Sequence, residues 1–404
     1  MPTLTLSIES EQIRAESPLL FPGVVGLFFA FRACLTWLFF QSNPVAGTKV
    51  SLAISLALLY GAVLYTAEER ALSLHRLPRT PTIRWIFFLL SFSLISISWT
   101  GAESVVVAFA YWTGMATDVA IVLLLLRRGN AERCMEGIMK GMVWGTVALS
   151  LVAWCSPGTE DLRLGNDMFL HPNTLGLTIA MATLIAQYLA PRGAGWGWLG
   201  IALAITLLRT LSKTSIVAFV IAECWYLMRN KKMSRKTKTW IGVATLTMVS
   251  VFWGLLSSYI EIYNNTGAGT QAETLTGRTA LWTVATAMGM EKPVFGHGFY
   301  SFKSLIPALG SFQPVHAHND LIQQFFELGS VGVGIVAAVY WSFYRQARRA
   351  PAGELKMLAL ALLIFALLHG LTDTVSPGLS FPLWLLSALS IGLFQATNRE
   401  ARTS

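Results

Sequence analysis

The stretch HAHNDLIQQFFELGSVGVGIVAAVYWSFY, residues 316–344, joins two imidazoles and a short polar run to an apolar segment. A helix crosses a hydrocarbon core of about 30 Å with roughly 20 apolar residues, so 321–344 reads as a membrane span. The histidines stand at its mouth, where water and membrane-borne molecules meet.

The rest of the chain repeats the apolar pattern. Of 404 residues, 54% are hydrophobic and 13% charged, and the mean hydropathy is +0.56. These values lie outside the range of soluble domains. Twelve spans are expected, near 19–40, 49–67, 83–99, 103–126, 137–155, 172–189, 196–210, 214–228, 239–257, 321–344, 356–374 and 380–397. Most connections are short. The expected fold is therefore an all-α polytopic membrane protein of about 12 transmembrane helices, a single domain over 1–404 with a long external loop at 258–320.

Basic residues orient it, because Lys and Arg stay on the cytoplasmic side. With a cytoplasmic N-terminus, alternate loops gather Arg70 to Arg84, Arg127 to Lys140, Arg192, the Arg229 to Lys238 run, and Arg345 to Lys356, together with Arg14, Arg399 and Arg402. The other side receives Lys49, Arg163, Arg209, Lys213, Arg278, Lys292 and Lys303, while Arg32 falls inside the first span, where snorkelling would explain it. Both termini are expected in the cytoplasm. The net charge of +9 is then mostly topological and gives no sign of nucleic-acid binding.

The first 18 residues are polar and the apolar run after them is too long for a cleavable signal, so the first span reads as an anchor. Cys34, Cys134, Cys155 and Cys224 have no metal-ligand or redox spacing and read as packing residues. Gly137, Gly141 and Gly145 form a small-residue face suited to close helix packing.

All histidines but His75 (His171, His297, His316, His318 and His369) fall on or near the external face. Within the long loop, residues 276–288 carry helical apolar spacing, with Leu281, Trp282, Ala285 and Met288 on one face. An amphipathic helix lying at the outer surface is expected. The run from Lys292 to Phe299 then reads as a turn back toward the membrane.

His318 is the candidate base. Asn319 and Asp320 are capping types, so a helix should begin there with its positive dipole end toward the site, and a neutral imidazole in that position can accept a proton from a hydroxyl. Asp320, Gln323, Gln324 and Glu327 form one polar stripe that must face protein or water, since acids in lipid cost roughly 2.5–3.5 kcal/mol. Glu327 is half a turn off the His318 face, so no direct dyad between them is expected. Arg209, Lys213 and Arg278 form a second constellation on a side otherwise poor in cations. A guanidinium binds phosphate in a bidentate fork and an ammonium acts as a point charge, so together they suit a diphosphate.

His318-Asn319, nine residues, Gly329, two residues and Gly332 match the signature of the O-antigen ligase and polysaccharide polymerase superfamily, which the chain resembles. His171 to Gly176, Ser212-Lys213-Thr214, Gly277-Arg278 and Pro293 to Phe302 agree with it. The resemblance is to the O-antigen ligase family. It implies a glycosyltransferase of the bacterial inner membrane, with its active site at the periplasmic face. The donor is an undecaprenyl-diphosphate-linked glycan and the acceptor a lipid A core sugar, with no metal, nucleotide or other cofactor. Carried over by position, His318 is the base, while Arg278 and Lys213 bind the donor diphosphate. His316, Asn319, Asp320 and Glu327 are supporting candidates. Lys213 departs from the commoner Ser-Arg-Thr pattern, and Arg209 is the alternative source of a guanidinium.

Three other readings compete. A polymerase of the same superfamily would extend the lipid-linked glycan, and a protein O-oligosaccharide ligase would use a side-chain hydroxyl. A lipid-linked glycan transporter is the reading from another class, favoured by Asp118 and Glu223 within spans. The lack of an internal repeat and the gathering of polar residues on one face speak against it.

Overall fold

The computed structural model describes residues 20–40, 44–67, 80–127, 131–156, 163–165, 171–230, 275–309, 313–375 and 377–403, with isolated positions between 234 and 250. Among the described residues the regular structure is helical: α1 (Leu20–Phe39), α2 (Pro44–Ala67), α3 (Pro81–Ser96), α4 (Val105–Leu126), α5 (Ala131–Cys155), α6 (Pro172–Leu189), α7 (Ala194–Arg209), α8 (Lys213–Arg229), α9 (Leu275–Gly289), α10 (Phe302–Leu305), α11 (Asp320–Arg349), α12 (Glu354–Gly370) and α13 (Leu383–Thr403). The chain is an all-α polytopic membrane protein. Eleven of the twelve expected spans fall on these helices; most of the one at 239–257, and of the loop before residue 275, lies outside the described residues. Among the described residues six helices meet the length and apolarity of a membrane crossing, in α2, α3, α4, α5, α6 and α11, and α1 and α7 contain shorter apolar segments.

The exterior is as apolar as the pattern requires. Leu20, Phe39, Tyr60, Phe88, Val106 and Trp198 are exposed, an arrangement that only a lipid environment accommodates over so many helices. Inside, helix pairs close through small residues. A Cβ on Gly26 would lie 1.9 Å from the Ile138 carbonyl oxygen, and one on Gly141 would lie 1.9 Å from that of Gly23. The expected glycine face of α5 is thus the place where its backbone touches α1. Cys34 and Cys134 are buried as expected, whereas Cys155 and Cys224 are exposed free thiols, so packing does not account for the latter two.

Two expectations change. The segment read as a span to residue 374 ends as helix at Gly370, and the described residues of 371–382, which leave out 376, form a loop leading into α13. The amphipathic helix appears as α9, but Leu281 and Ala285 are buried against Phe302, Ile306, Ala317 and Phe326. Its apolar face is covered by protein, since α10 and the start of α11 supply a second, smaller core.

α11 is not continuous. Gly329 sits at φ 65°, ψ −167°, and breaks the helix. The loop 293–298 fills the break: His297 and Gly298 donate backbone N–H bonds to the Phe326 and Glu327 carbonyls at 2.9 and 2.8 Å, and Ser330 donates to the Pro293 carbonyl at 2.8 Å. The loop's other side is held by the corner after α3, where Gly101 N–H reaches the His297 carbonyl at 2.9 Å and the Thr100 hydroxyl donates to Phe299 at 2.7 Å.

A Cβ on Gly329 would stand 2.3 Å from the Val294 carbonyl oxygen, and its backbone lies in the left-handed region that side chains disfavour. Gly329→Ala is expected to destabilise the protein by at least about 1–3 kcal/mol, read as a lower thermal unfolding midpoint in detergent. Gly334→Ala, in open space within the same helix, should be neutral or stabilising by up to about 1 kcal/mol. Equal effects of the two would remove the break as a structural requirement.

Candidate active site

Four separate segments meet at the N-terminus of α11. Asn319 caps the helix, its side-chain oxygen accepting from the N–H groups of Leu321 and Ile322 at 2.9 and 3.1 Å. Its amide donates to the Leu371 carbonyl at 2.8 Å. One residue thus ends the loop, begins the helix and holds the chain leaving α12. Asp320, read from sequence as a capping type, instead accepts from the Thr374 hydroxyl and from the Ser380 N–H at 3.0 Å. It pins both sides of the 371–382 loop.

His318 precedes the cap at φ 50°, a conformation uncommon for a residue with a side chain. Its Nδ1 lies 3.0 Å from Asp373 Oδ1. Burial alone would raise the Asp373 carboxyl, but the hydrogen bond from His318 leads the effects that outweigh it and hold the group below the usual carboxylate range. A carboxylate only accepts, so Nδ1 carries a proton, and in the neutral ring the lone pair falls on Nε2. His318 is therefore oriented as an acceptor of protons at Nε2. His316 packs edge-on against it at 4.2 Å between ring centroids, and its Nδ1 accepts the His318 backbone N–H at 3.3 Å. Burial pushes the His316 imidazole down to about 3, so it stays neutral at physiological pH.

The cations approach the same loop. Arg278, near the start of α9, donates from Nη1 to the Thr372 carbonyl. The Thr372 hydroxyl in turn donates to that of Thr214 at 3.0 Å, which follows Lys213 at the beginning of α8. Arg278 and the Ser212–Thr214 turn thus meet on one threonine. Lys213 and Arg209 are both exposed across the turn from α7 to α8, so the structure brings Lys213's turn to Arg278 and leaves Arg209 one helix end away. His171 caps α6, its Nδ1 accepting the Asn173 N–H at 3.3 Å. It lies within electrostatic range of Arg163, Asp373, His318 and Arg278, and burial, then Arg163, lowers its imidazole to about 4. Arg163 is itself buried, with Nη2 2.7 Å from Asn173 Oδ1.

The polar stripe faces protein, as its insertion cost demands: Asp320, Gln323, Gln324 and Glu327 are all buried. Gln323 accepts from the Ala317 N–H at 2.7 Å and donates to Glu327 at 2.9 Å. Glu327 also accepts from the Phe302 N–H at 3.4 Å. It supports the loop that shapes the site and makes no contact with His318. Arg32, expected to snorkel, instead pairs with Asp118 at 2.5 Å, and Glu223 accepts from Gln187 at 2.8 Å. A cavity of about 370 Å³ extends from this ion pair toward the site, lined among others by Tyr111, Thr174, Thr178 and Gly378.

Asp373 and Arg163 are the residues that sequence reasoning passes over as site members. Asp373 carries a signal, since an acid inside an apparent apolar span is expensive and calls for a partner.

A family model described as O-antigen ligase matches residues 198–337, a segment that holds Arg209, Lys213, Arg278, His316, His318 and Glu327 and ends before Asp373. No curated protein matches the chain. Over that segment the chain is similar to the O-antigen ligase family, in line with what the histidine signature implies.

Proposed function

We propose that the protein transfers a glycan from an undecaprenyl-diphosphate carrier to a hydroxyl of a lipid A core sugar, at the periplasmic face of the bacterial inner membrane. The observation that carries this reading is the meeting of the His318–Asp373 pair with Arg278 and the Lys213 turn on the Thr372 threonine. A base and a set of cations side by side fit attack on a sugar whose leaving group is a diphosphate.

In that reaction His318 Nε2 removes the proton as the acceptor oxygen bonds to the anomeric carbon. The bond from that carbon to the phosphate oxygen breaks, and undecaprenyl diphosphate leaves with the electron pair. Asp373 holds the imidazole in its tautomer and stabilises the imidazolium that forms, while Arg278 and Lys213 neutralise the leaving group, with Arg209 as the further cation. Attack in line inverts the anomeric centre. The cavity beneath the loop, largely apolar and bordered by Thr174 and Thr178, suits the first isoprene units of the carrier, which would position the reacting carbon. No metal and no nucleotide enters the scheme.

A polymerase or a protein O-oligosaccharide ligase would use the same groups on another acceptor. Transport draws less support, because Asp118 and Glu223 each have a local partner, Arg32 and Gln187, instead of forming a relay.

The test is an assay of purified protein with lipid-linked glycan and lipid A core. Glycan on the core supports the ligase; glycan lengthened on the carrier makes the protein a polymerase, and transfer only to polypeptide makes it a protein ligase. His318→Ala should lower turnover by roughly 10²–10⁴-fold with donor binding retained. Asp373→Asn should lower kcat while leaving KM for donor within a few-fold, because it disturbs only the orientation of the base. Undiminished turnover in either variant would end the base assignment. Arg278→Ala should weaken donor binding by about 10–100-fold, the worth of a charge-assisted contact; unchanged donor affinity would remove Arg278 from the diphosphate site.

A further inference from the structure

The reaction scheme uses His318 through Nε2 and Asp373 through Oδ1, and leaves His316 and Asp373 Oδ2 unused. His316, His318 and Asp373 each offer one ligand atom, and these atoms lie within 4.8 Å of one another. Asp373 Oδ2 is buried and has no hydrogen-bond partner, an expensive condition for a carboxylate oxygen. Two imidazoles and a carboxylate are the donor set of zinc-type ions rather than of Mg²⁺ or Ca²⁺, which take oxygen ligands. Zinc sites with three protein ligands leave a fourth position to water.

We propose that His316, His318 and Asp373 form a binding site for a divalent transition-metal ion of the zinc type, and that its occupation inhibits the enzyme by holding His318 as the Nε2–H tautomer, without the lone pair that the base role needs. The inhibitory half rests on the base role proposed above; the binding half rests on the donor geometry alone.

Ligand atoms around tetrahedral zinc stand roughly 3.3–3.4 Å apart, given bond lengths near 2.0–2.1 Å. The cluster must contract by up to about 1.4 Å, a shift within the reach of side-chain rotation. The His316 Nδ1 bond to the His318 N–H is long at 3.3 Å, so exchanging it for a coordinate bond sacrifices little. His318 would ligate through Nδ1, the atom already 3.0 Å from Asp373 Oδ1, so the ring proton passes to Nε2 and the carboxylate joins the same ion. Asp373 Oδ2 faces no competing donor.

The experiment is titration of the full-length protein in detergent with Co²⁺, read by its visible ligand-field bands, and with Zn²⁺ by calorimetry and competition. The native chain should bind one equivalent, Zn²⁺ should displace Co²⁺, and His316→Ala and Asp373→Asn should each weaken binding at least tenfold. Unfolding curves of both variants establish that they are folded, and His316→Gln serves as the milder replacement. Absence of bands, or Zn²⁺ affinity unchanged in folded His316→Ala and Asp373→Asn, overturns the site. In the transfer assay, one equivalent of Zn²⁺ should suppress turnover at least tenfold and a chelator should restore it. Stoichiometric binding with full turnover would leave the metal site standing and overturn both inhibition and the role of His318 as base.

Discussion

The N-terminal turn of α11 is the knot on which the site depends. Asn319 satisfies the first free N–H groups of the helix while its amide holds the Leu371 carbonyl. Asp320 receives Thr374 and Ser380. Between them, these two side chains set the position of the 371–382 loop, and that loop carries Asp373 to His318 and Thr372 to Arg278. The approach is tight: a Cβ on Gly370 would stand 2.5 Å from Asp320 Oδ2. Asn319, Asp320, Asp373, Thr374 and Ser380 are buried, where an unmade hydrogen bond costs about 1–3 kcal/mol. The arrangement is therefore specified by satisfaction of polar groups rather than by apolar contact.

Behind the knot, the break at Gly329 serves the same end. It exposes backbone carbonyls of α11 that the loop 293–298 then occupies, and the Gln323–Glu327 pair ties the stripe to Ala317 and Phe302 on either side. His318 thus stands on a segment braced from below by α11, from one side by α9 through the Trp282 indole bond to Ala317 at 2.8 Å, and from the other by the α12–α13 loop. His318 at φ 50° is held by this bracing, a strained backbone of the kind that gathers at functional sites.

Much of this architecture is legible in the amino-acid sequence. Apolar runs of span length locate eleven helices because their signal is local, and the glycine face of α5 is visible as a spacing. His318, Arg278 and Lys213 stand out as chemistry in unusual places, and the stripe from Asp320 to Glu327 has to face inward on energetic grounds. Long-range pairing is what the sequence hides. Nothing local joins Asp373 to His318 across 55 positions, Arg32 to Asp118 across 86, or the α9 apolar face to Phe302 and Phe326. An amphipathic helix reads the same whether lipid or protein covers it. The end of α12 escapes a sequence reading because the apolar run continues past Gly370, while the turn is set by Asn319 and Asp320, some fifty residues earlier.

The most direct measurement is an experimental structure of the full chain with a non-transferable polyprenyl-diphosphate sugar. The account predicts the diphosphate between Arg278 and the Lys213 turn, the carrier chain entering the cavity beside Thr174 and Thr178, and the anomeric carbon facing the Nε2 side of His318. A diphosphate bound away from Arg278, at the Arg32–Asp118 pair or at the opposite face of the bundle, would contradict it.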